Sequence, residues 1–179
     1  MELVERLMKH VVKKVLGKEI KEKFQILTYE ESMEKYGIDK PDLRYNLELT
    51  TITDIAKKSD FEIFKKADIV KVLVTEKAVG RKEIDSLIDF SQKDLGARGL
   101  AYMKFDGKIL ESSIVKYFPE KIQKELIGRL KLKKDSTVFF IADRKKRVNE
   151  ILSSLRIELA KRLELIDKNK NELRFCWIT

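Results

Sequence analysis

Cysteine occurs once, at Cys176, which excludes an internal disulfide and any zinc cage built on thiolates, since each needs at least two thiols. A reducing, cytoplasmic setting is the expectation that follows. Histidine also occurs once, at His10, and no serine stands in a G-x-S-x-G elbow, so a serine-hydrolase triad lacks its usual parts. With no convergent partners for a metal or for proton transfer, His10 reads as a surface or packing residue. Among the seven glycines, at positions 17, 37, 80, 96, 99, 107 and 128, no two are separated by a single residue. That excludes the G-x-G loops of dinucleotide-binding folds and kinases, and no G-x-x-x-x-G-K-[ST] loop is present either. Long apolar runs are missing: Val138 to Ala142 is among the longest, far short of the ~20 residues that cross a bilayer. The first residues mix acids with bases and lack the apolar core and small-residue cleavage site of a signal peptide.

What the chain does have is charge and enough apolar residues for a core. Of 179 residues, 43% are hydrophobic and 39% charged, with 39 Lys and Arg against 30 Asp and Glu, a net charge of +9. The excess of bases suits a polyanionic partner, and an equally open reading is a solvated, lysine-rich surface. Paired acids such as Glu30 and Glu31, or Asp39 and Asp42, are spaced as ordinary surface carboxylates are, and no acid–base pair is assigned to them.

Periodicity outlines the elements. Leu3, Val4, Leu7, Met8, Val11, Val12, Val15 and Leu16 recur at helical spacing, with Gly17 as a left-handed stop, so the first helix has one apolar face in need of a partner. Thr28 and Glu31 form a capping box for a short helix ended by Tyr36 and Gly37. Pro41 then forbids regular helix through residues 37–44, the strongest loop in the chain. A further helix is expected from Thr50 or Thr51 to Lys58. From Phe61 the pattern changes to short strand-like runs: Phe61 to Phe64, Ile69 to Thr75, Leu100 to Phe105 and Thr137 to Ala142. Helices are expected over Arg81 to Leu95, Ser112 to Phe118, Pro119 to Leu130, and Arg144 to about Leu165. The last run, Leu173 to Thr179, is strand-like with no evident partner, an ending that reads as cut. The fold class expected is α+β: a β-β-α-β-β-α two-layer sandwich with a helical insert, a mainly antiparallel four-stranded sheet, and a helical N-terminal flank.

Two local features bear on binding. Gly96-Ala97-Arg98-Gly99 has the G-x-x-G spacing of KH loops, but it follows a helix and leads into a strand, so a helix stop followed by a tight strand entry explains both glycines. Asp143 reads as an N-cap, followed by Arg144, Lys145, Lys146 and Arg147 in the first turn. Four cations at the positive end of a helix macrodipole run against local preference, by a few tenths of a kcal/mol each, roughly. Residues 119–165 hold 13 bases and 7 acids, which supplies most of the net charge. Phosphate contact by Arg144, Lys145, Lys146 and Arg147 is the functional expectation; a solvated face is the other.

Longer strings decide more than composition. Residues 29–44, Tyr-Glu-Glu-Ser-Met-Glu-Lys-Tyr-Gly-Ile-Asp-Lys-Pro-Asp-Leu-Arg, closely resemble the "TYEEAMRRYGSDKPDLR" segment of bacterial-type class II aspartyl-tRNA synthetases. Gly96-Ala97-Arg98-Gly99-Leu100-Ala101-Tyr102 is similar to that family's "GAKGLAY". It is followed by a "SxxxKxF" stretch (Ser112 or Ser113, Lys116, Phe118), by Val138 to Asp143, and by Trp177-Ile178-Thr179 ahead of where the family reads "DFPLF". The resemblance covers nearly the whole chain. It implies that residues 1–45 belong to the catalytic domain, 46–166 to the GAD insertion, and 167–179 to the return into the catalytic domain. It also implies that Asp39, Lys40, Pro41, Asp42, Leu43 and Arg44 fix how the insertion meets the catalytic body. ATP and Mg, the class II motifs and the dimer interface of the family lie in parts this sequence does not contain. Neither catalytic nor cofactor-binding residues are therefore carried over, and the chain alone is expected to be an inactive monomer with little or no affinity for tRNA. The competing expectation is a free-standing RNA-binding or amidotransferase-like GAD adaptor.

Overall fold

In the computed structural model, residues 1–166 and 172–179 are described. A five-stranded antiparallel sheet with the order β2-β3-β6-β4-β5 lies at the centre. Its strands are β2 (Thr50–Thr51), β3 (Ile69–Thr75), β4 (Ala101–Phe105), β5 (Leu110–Glu111) and β6 (Ser136–Asp143). The middle pair, β3 and β6, runs in register from Ile69 opposite Asp143 to Thr75 opposite Thr137. Both strands are nearly continuous apolar runs because both faces of the sheet are covered. On one face, Leu73, Phe139 and Ile141 pack under α5 (Arg81–Lys93) and α7 (Lys145–Arg162), with Leu87, Leu152 and Leu155 in the same core. On the other, Val70, Val72, Val138 and Phe140 meet the short helices α3 (Thr53–Ala56) and α4 (Glu62–Lys66) and the longer α6 (Glu120–Leu130).

The α+β class is as expected, with five differences of detail, the first being that Ser112 to Phe118 forms no regular helix but a single 3-10 turn at Val115–Tyr117. Phe61 to Phe64 is not a strand: Phe61 caps α4, and the i, i+3 spacing brings its ring edge-on to Phe64 at 4.8 Å, while Ile63 points to solvent. Thr50 and Thr51 open no helix. Being β-branched, they form an edge strand on Val72 and Lys71, and the helix waits until Thr53. The sheet gains its fifth strand from a hairpin at Asp106-Gly107, where Gly107 has φ 101° and the Asp106 carboxylate accepts the amides of Lys108 and Ile109 at 2.7 and 2.8 Å. The helical insert folds back over the second face of the sheet, so the expected two layers become a sheet covered on both sides.

The N-terminal flank holds α1 (Glu2–Leu16), β1 (Gln25–Leu27) and α2 (Tyr29–Lys35). The capping box of α2 is formed: Thr28 Oγ1 accepts Glu31 N–H at 3.1 Å, and Glu31 accepts Thr28 N–H at 2.8 Å. The final run does have a partner, since β7 (Cys176–Ile178) pairs in parallel with β1, from Gln25 opposite Cys176 to Leu27 opposite Ile178. The first part of the expected return segment, residues 167–171, lies outside the described residues. Helix α1 buries Val12 and sets Lys9 over the Phe24 ring at 5.7 Å, but leaves Leu3, Leu7, Val15 and Leu16 exposed.

Candidate nucleic-acid interface and domain junction

Helix α7 carries both candidate regions, because its N-terminal turn holds the basic run and its body meets the junction segment. Its N-cap is Arg144 and not Asp143. The Asp143 carboxylate accepts the N–H of the adjacent Arg144 at 2.8 Å, too early in the chain to serve the amides of the first turn. No acidic residue occupies that turn. The unfavourable placement of cations expected from sequence therefore persists, now with Lys145, Lys146 and Arg147 inside the helix.

The four cations do not act as one cluster. Arg147 turns back and donates from Nη2 to the carbonyls of Leu95 and Gly96, both at 2.9 Å, closing the chain after α5. Position 96 is glycine because its φ is 63°, a left-handed conformation that a side chain would strain. Lys145 lies close enough to Glu34 and Lys71 for its charge to act on both. Arg144 and Lys146 are exposed, and no hydrogen bond or ion pair engages their side chains among the described residues. The solvent-facing part of the run is thus Arg144, Lys145 and Lys146, with Arg147 held by protein carbonyls.

Along its body α7 has two buried stripes. Val148, Ile151, Leu152, Leu155 and Leu159 face the sheet. Asn149, Ser153, Arg156 and Ala160, at i, i+4, i+7 and i+11, are also buried, and this polar, small-residue stripe lies under the segment that follows α2. Arg156 is 2% exposed. It donates from Nε to Leu47 O at 2.7 Å, from Nη1 to Tyr45 Oη at 3.0 Å, and from Nη2 to Asp42 O at 2.7 Å and Tyr45 O at 3.3 Å. Its guanidinium also lies over the rings of Tyr36 and Tyr45, 4.9 and 4.2 Å from their centroids. A buried cation is thus met by carbonyl dipoles, a phenol and two π faces. Burial still draws its pKa below the usual arginine value.

Asp42 and Arg44 of the junction string pair with each other, Nη2 to Oδ2 at 2.6 Å, and Asp42 also accepts the Arg44 amide at 3.0 Å. The Arg44 guanidinium beside Asp42 holds its carboxyl below the ordinary carboxylate range. Asp39 and Lys40 are exposed, and Pro41 and Leu43 are half-buried. The string therefore reaches α7 through the carbonyl of Asp42 and not through its charged side chains. Gly37 completes the contact: with φ 72°, its Cα passes so close to α7 that a Cβ would sit 2.6 Å from Asn149 O.

A second tie joins α2 to the sheet. Lys71 of β3 is fully buried and donates to Glu34 Oε2 at 2.8 Å and Glu34 O at 3.1 Å, while Thr51 Oγ1 also donates to the Glu34 carboxylate. The pair is lopsided. Burial lowers the Lys71 pKa more than Glu34 raises it, whereas the half-exposed Glu34 is held ionised by Lys71, Thr51 and the charge of Lys145, which together outweigh its own burial.

The junction is expected to give the chain an alkaline transition. Burial, then the charge and hydrogen bond of Glu48, push the Tyr36 phenol up to about 12, and burial raises Tyr45 as well. An unfolded tyrosine ionises near 10. Folding therefore favours the neutral phenols, and their contribution to stability, complete below about pH 10, is lost as pH rises toward 12. Ultraviolet titration at alkaline pH is expected to show part of the tyrosinate signal appearing late and together with loss of helical circular dichroism. A titration in which all tyrosines ionise at the ordinary value with the fold intact would contradict this.

A family model described as GAD domain matches residues 62–152, half of the chain. The chain belongs to the GAD domain family. Around this GAD domain, similarity continues on both sides into aspartate–tRNA ligases. The aspartate–tRNA(Asp/Asn) ligase of Hydrogenobaculum sp. (strain Y04AAS1) is 40% identical over 182 residues, covering 99% of this chain and 30% of that protein. The enzyme of the same description from Aquifex aeolicus (strain VF5) is 42% identical over 175 residues, covering 95% and 29%. The aspartate–tRNA ligase of Clostridium botulinum (strain Hall) is 39% identical over 184 residues, covering 99% and 30%. The chain thus corresponds to the GAD-containing part of aspartate–tRNA ligases and spans about 30% of the length of these relatives.

Neither Arg156 nor Lys71 stands out in the sequence, and Gly37 reads there only as the end of α2, not as a contact with α7. A signal for Arg156 existed in the spacing of Asn149, Ser153, Arg156 and Ala160, but a polar helical stripe reads as a solvated face until something is found covering it. No helix of the described residues is long and apolar enough to cross a membrane.

Proposed function

We propose that this chain serves as the insertion-bearing part of an enzyme that joins aspartate to tRNA through an aspartyl-adenylate. In this reading residues 1–45 and 167–179 belong to the catalytic body, residues 46–166 form the inserted GAD module, and the remainder of that body is the chain's immediate partner. The observation that carries it is the parallel pairing of β1 with β7, on either side of the module. Parallel neighbours require a long crossover between them, and here the crossover is the GAD domain. The exposed apolar side chains of α1 fit the same reading, since a catalytic body would cover them. ATP and Mg are assigned to parts outside this chain, as is dimerisation. Among the described residues, no group of three or more His, Cys, Asp or Glu is arranged to hold a metal ion.

In this role the junction contacts of Arg156, Gly37 and Lys71 hold the module rigidly against the catalytic body. Arg144, Lys145 and Lys146 then approach the phosphates of the tRNA acceptor arm. The test is the triple substitution Arg144→Ala, Lys145→Ala, Lys146→Ala in the full-length enzyme. KM for tRNA is expected to rise, and the log-log salt dependence of tRNA binding to flatten by about 2, since each neutralised phosphate contributes roughly 0.7–0.9. Aspartate-dependent pyrophosphate exchange is expected to stay near wild type. Unchanged tRNA affinity and salt slope would show these cations to be a solvated face. Arg147 is left intact because its loss would free the carbonyls of Leu95 and Gly96 and confuse binding with folding.

A further inference from the structure

The basic turn of α7 has an acid beside it that comes from the other side of the junction. Lys71 lies on the sheet face that α7 covers, two places along β3 from Leu73, and its ammonium is met there by Glu34 of α2. Gly37, just past the end of α2, meets the backbone of Asn149. Glu34 stands three residues before Gly37, and Lys145 stands one helical turn before Asn149 on the same face of α7. Both side chains thus belong to one contact between α2 and α7, and the Lys145 charge favours the ionised Glu34 and opposes the charge on Lys71. Glu34 is held on its inner side by Lys71 Nζ at 2.8 Å and by Thr51 Oγ1, while 47% of its side chain stays exposed. No hydrogen bond or ion pair engages the Lys145 side chain among the described residues, so its ammonium is available to another anion.

A phosphate taken up by Lys145 therefore comes to lie near a carboxylate that two hydrogen bonds prevent from swinging away. Like charges at the edge of a protein repel more strongly than they do in bulk water. We propose that Glu34 sets the strength of phosphate binding at the basic turn, as a fixed counter-charge that an arriving phosphate must work against. Resting on the reading of Arg144, Lys145 and Lys146 as phosphate-facing, it adds to that site a residue from the far side of the junction. Coupling of this kind is reciprocal, so a phosphate on the turn presses on Glu34 and weakens its hold on Lys71. Helix α2 thereby responds to a polyanion held by the module without touching it.

The test is a double-mutant cycle in the full-length enzyme, with uncharged tRNA as the ligand and its Kd measured at one fixed, low salt concentration. The variants are Glu34→Gln, Lys145→Ala and the two combined. Glutamine keeps a carbonyl for Lys71 and Thr51 and removes the charge. Because Glu34→Gln leaves the buried Lys71 without its counter-ion, Glu34→Gln with Lys71→Met is made as well, which takes away both charges together. Glu34→Gln is expected to tighten tRNA binding about fivefold, the low end of coupling between sites, with or without Lys71→Met. Most of that gain is expected to vanish once Lys145 is alanine. A residue that only supports the fold gives the opposite sign, since a loosened junction weakens binding. The proposal is overturned if both Glu34 variants bind tRNA no more tightly than wild type, or if the gain is undiminished in the Lys145→Ala background. Lys145→Ala by itself separates this proposal from the reading beneath it. Unchanged affinity there removes the phosphate reading and the role of Glu34 with it, whereas weakened affinity with no gain from Glu34→Gln removes the role of Glu34 alone.

Discussion

Arg156→Met is expected to destabilise the chain by about 3–5 kcal/mol, because several buried neutral acceptors lose their donor at roughly 1–3 kcal/mol each. Methionine keeps much of the volume of the side chain but leaves Leu47 O, Asp42 O, Tyr45 O and Tyr45 Oη without their donor in a site closed to water. In thermal unfolding this corresponds to a drop in Tm of about 10 °C or more for a domain of this size. Arg156→Lys keeps the charge but replaces the planar fork with a single ammonium that cannot serve carbonyls on several sides, and it is expected to lose most of the same stability. A lysine variant within about 1 kcal/mol of wild type, the span of an ordinary substitution, would show that charge alone suffices and that the forked geometry is incidental.

Gly37→Ala is expected to cost about 2–4 kcal/mol, from two sources. A residue with a Cβ in the left-handed region costs roughly 1–2 kcal/mol by itself. The rest comes from the 2.6 Å approach of that Cβ to Asn149 O, which lies on the backbone of a helix pinned to the sheet and unable to retreat. Gly17 supplies the internal control. It has a similar φ of 64°, and a Cβ there meets nothing within 4 Å, so Gly17→Ala should show the conformational cost alone. Equal losses in chemical denaturation for the two substitutions would remove the packing argument. Because Gly37 and Arg156 act on the same contact between α7 and the junction, their combined loss is expected to fall short of the sum.

Much of the architecture was legible because its signals are local. The α2 capping box needs Thr28 and Glu31 only, and the apolar runs of β3 and β6 announce buried strands by their continuity. The errors came where two periods fit the same short string. Phe61 and Ile63 alternate with Glu62 as a strand would, yet Phe61 and Phe64 are also one helical turn apart, and packing under Phe118 and Phe140 chose the helix. The hairpin at Asp106-Gly107 carried a recognisable turn dipeptide, but its second strand, Leu110–Glu111, is too short to show a period.

From sequence alone come the α+β class, the positions of the core strands, the stop at Gly17 and the Thr28–Glu31 capping box, and the long strings shared with aspartate–tRNA ligases, each read from residues close together in the chain. Tertiary structure alone decided that Arg147 serves the protein while Arg144 and Lys146 face solvent. It also decided that the final strand lies against Gln25–Leu27, and that Arg156 is a buried lock and not a surface charge. The reason is separation along the chain. Arg156 finds its acceptors 109 to 114 residues away, at a distance where composition and periodicity carry no trace of which carbonyl will face which donor. Only the packing of α7 between the sheet and the junction makes a polar helical stripe an interior one.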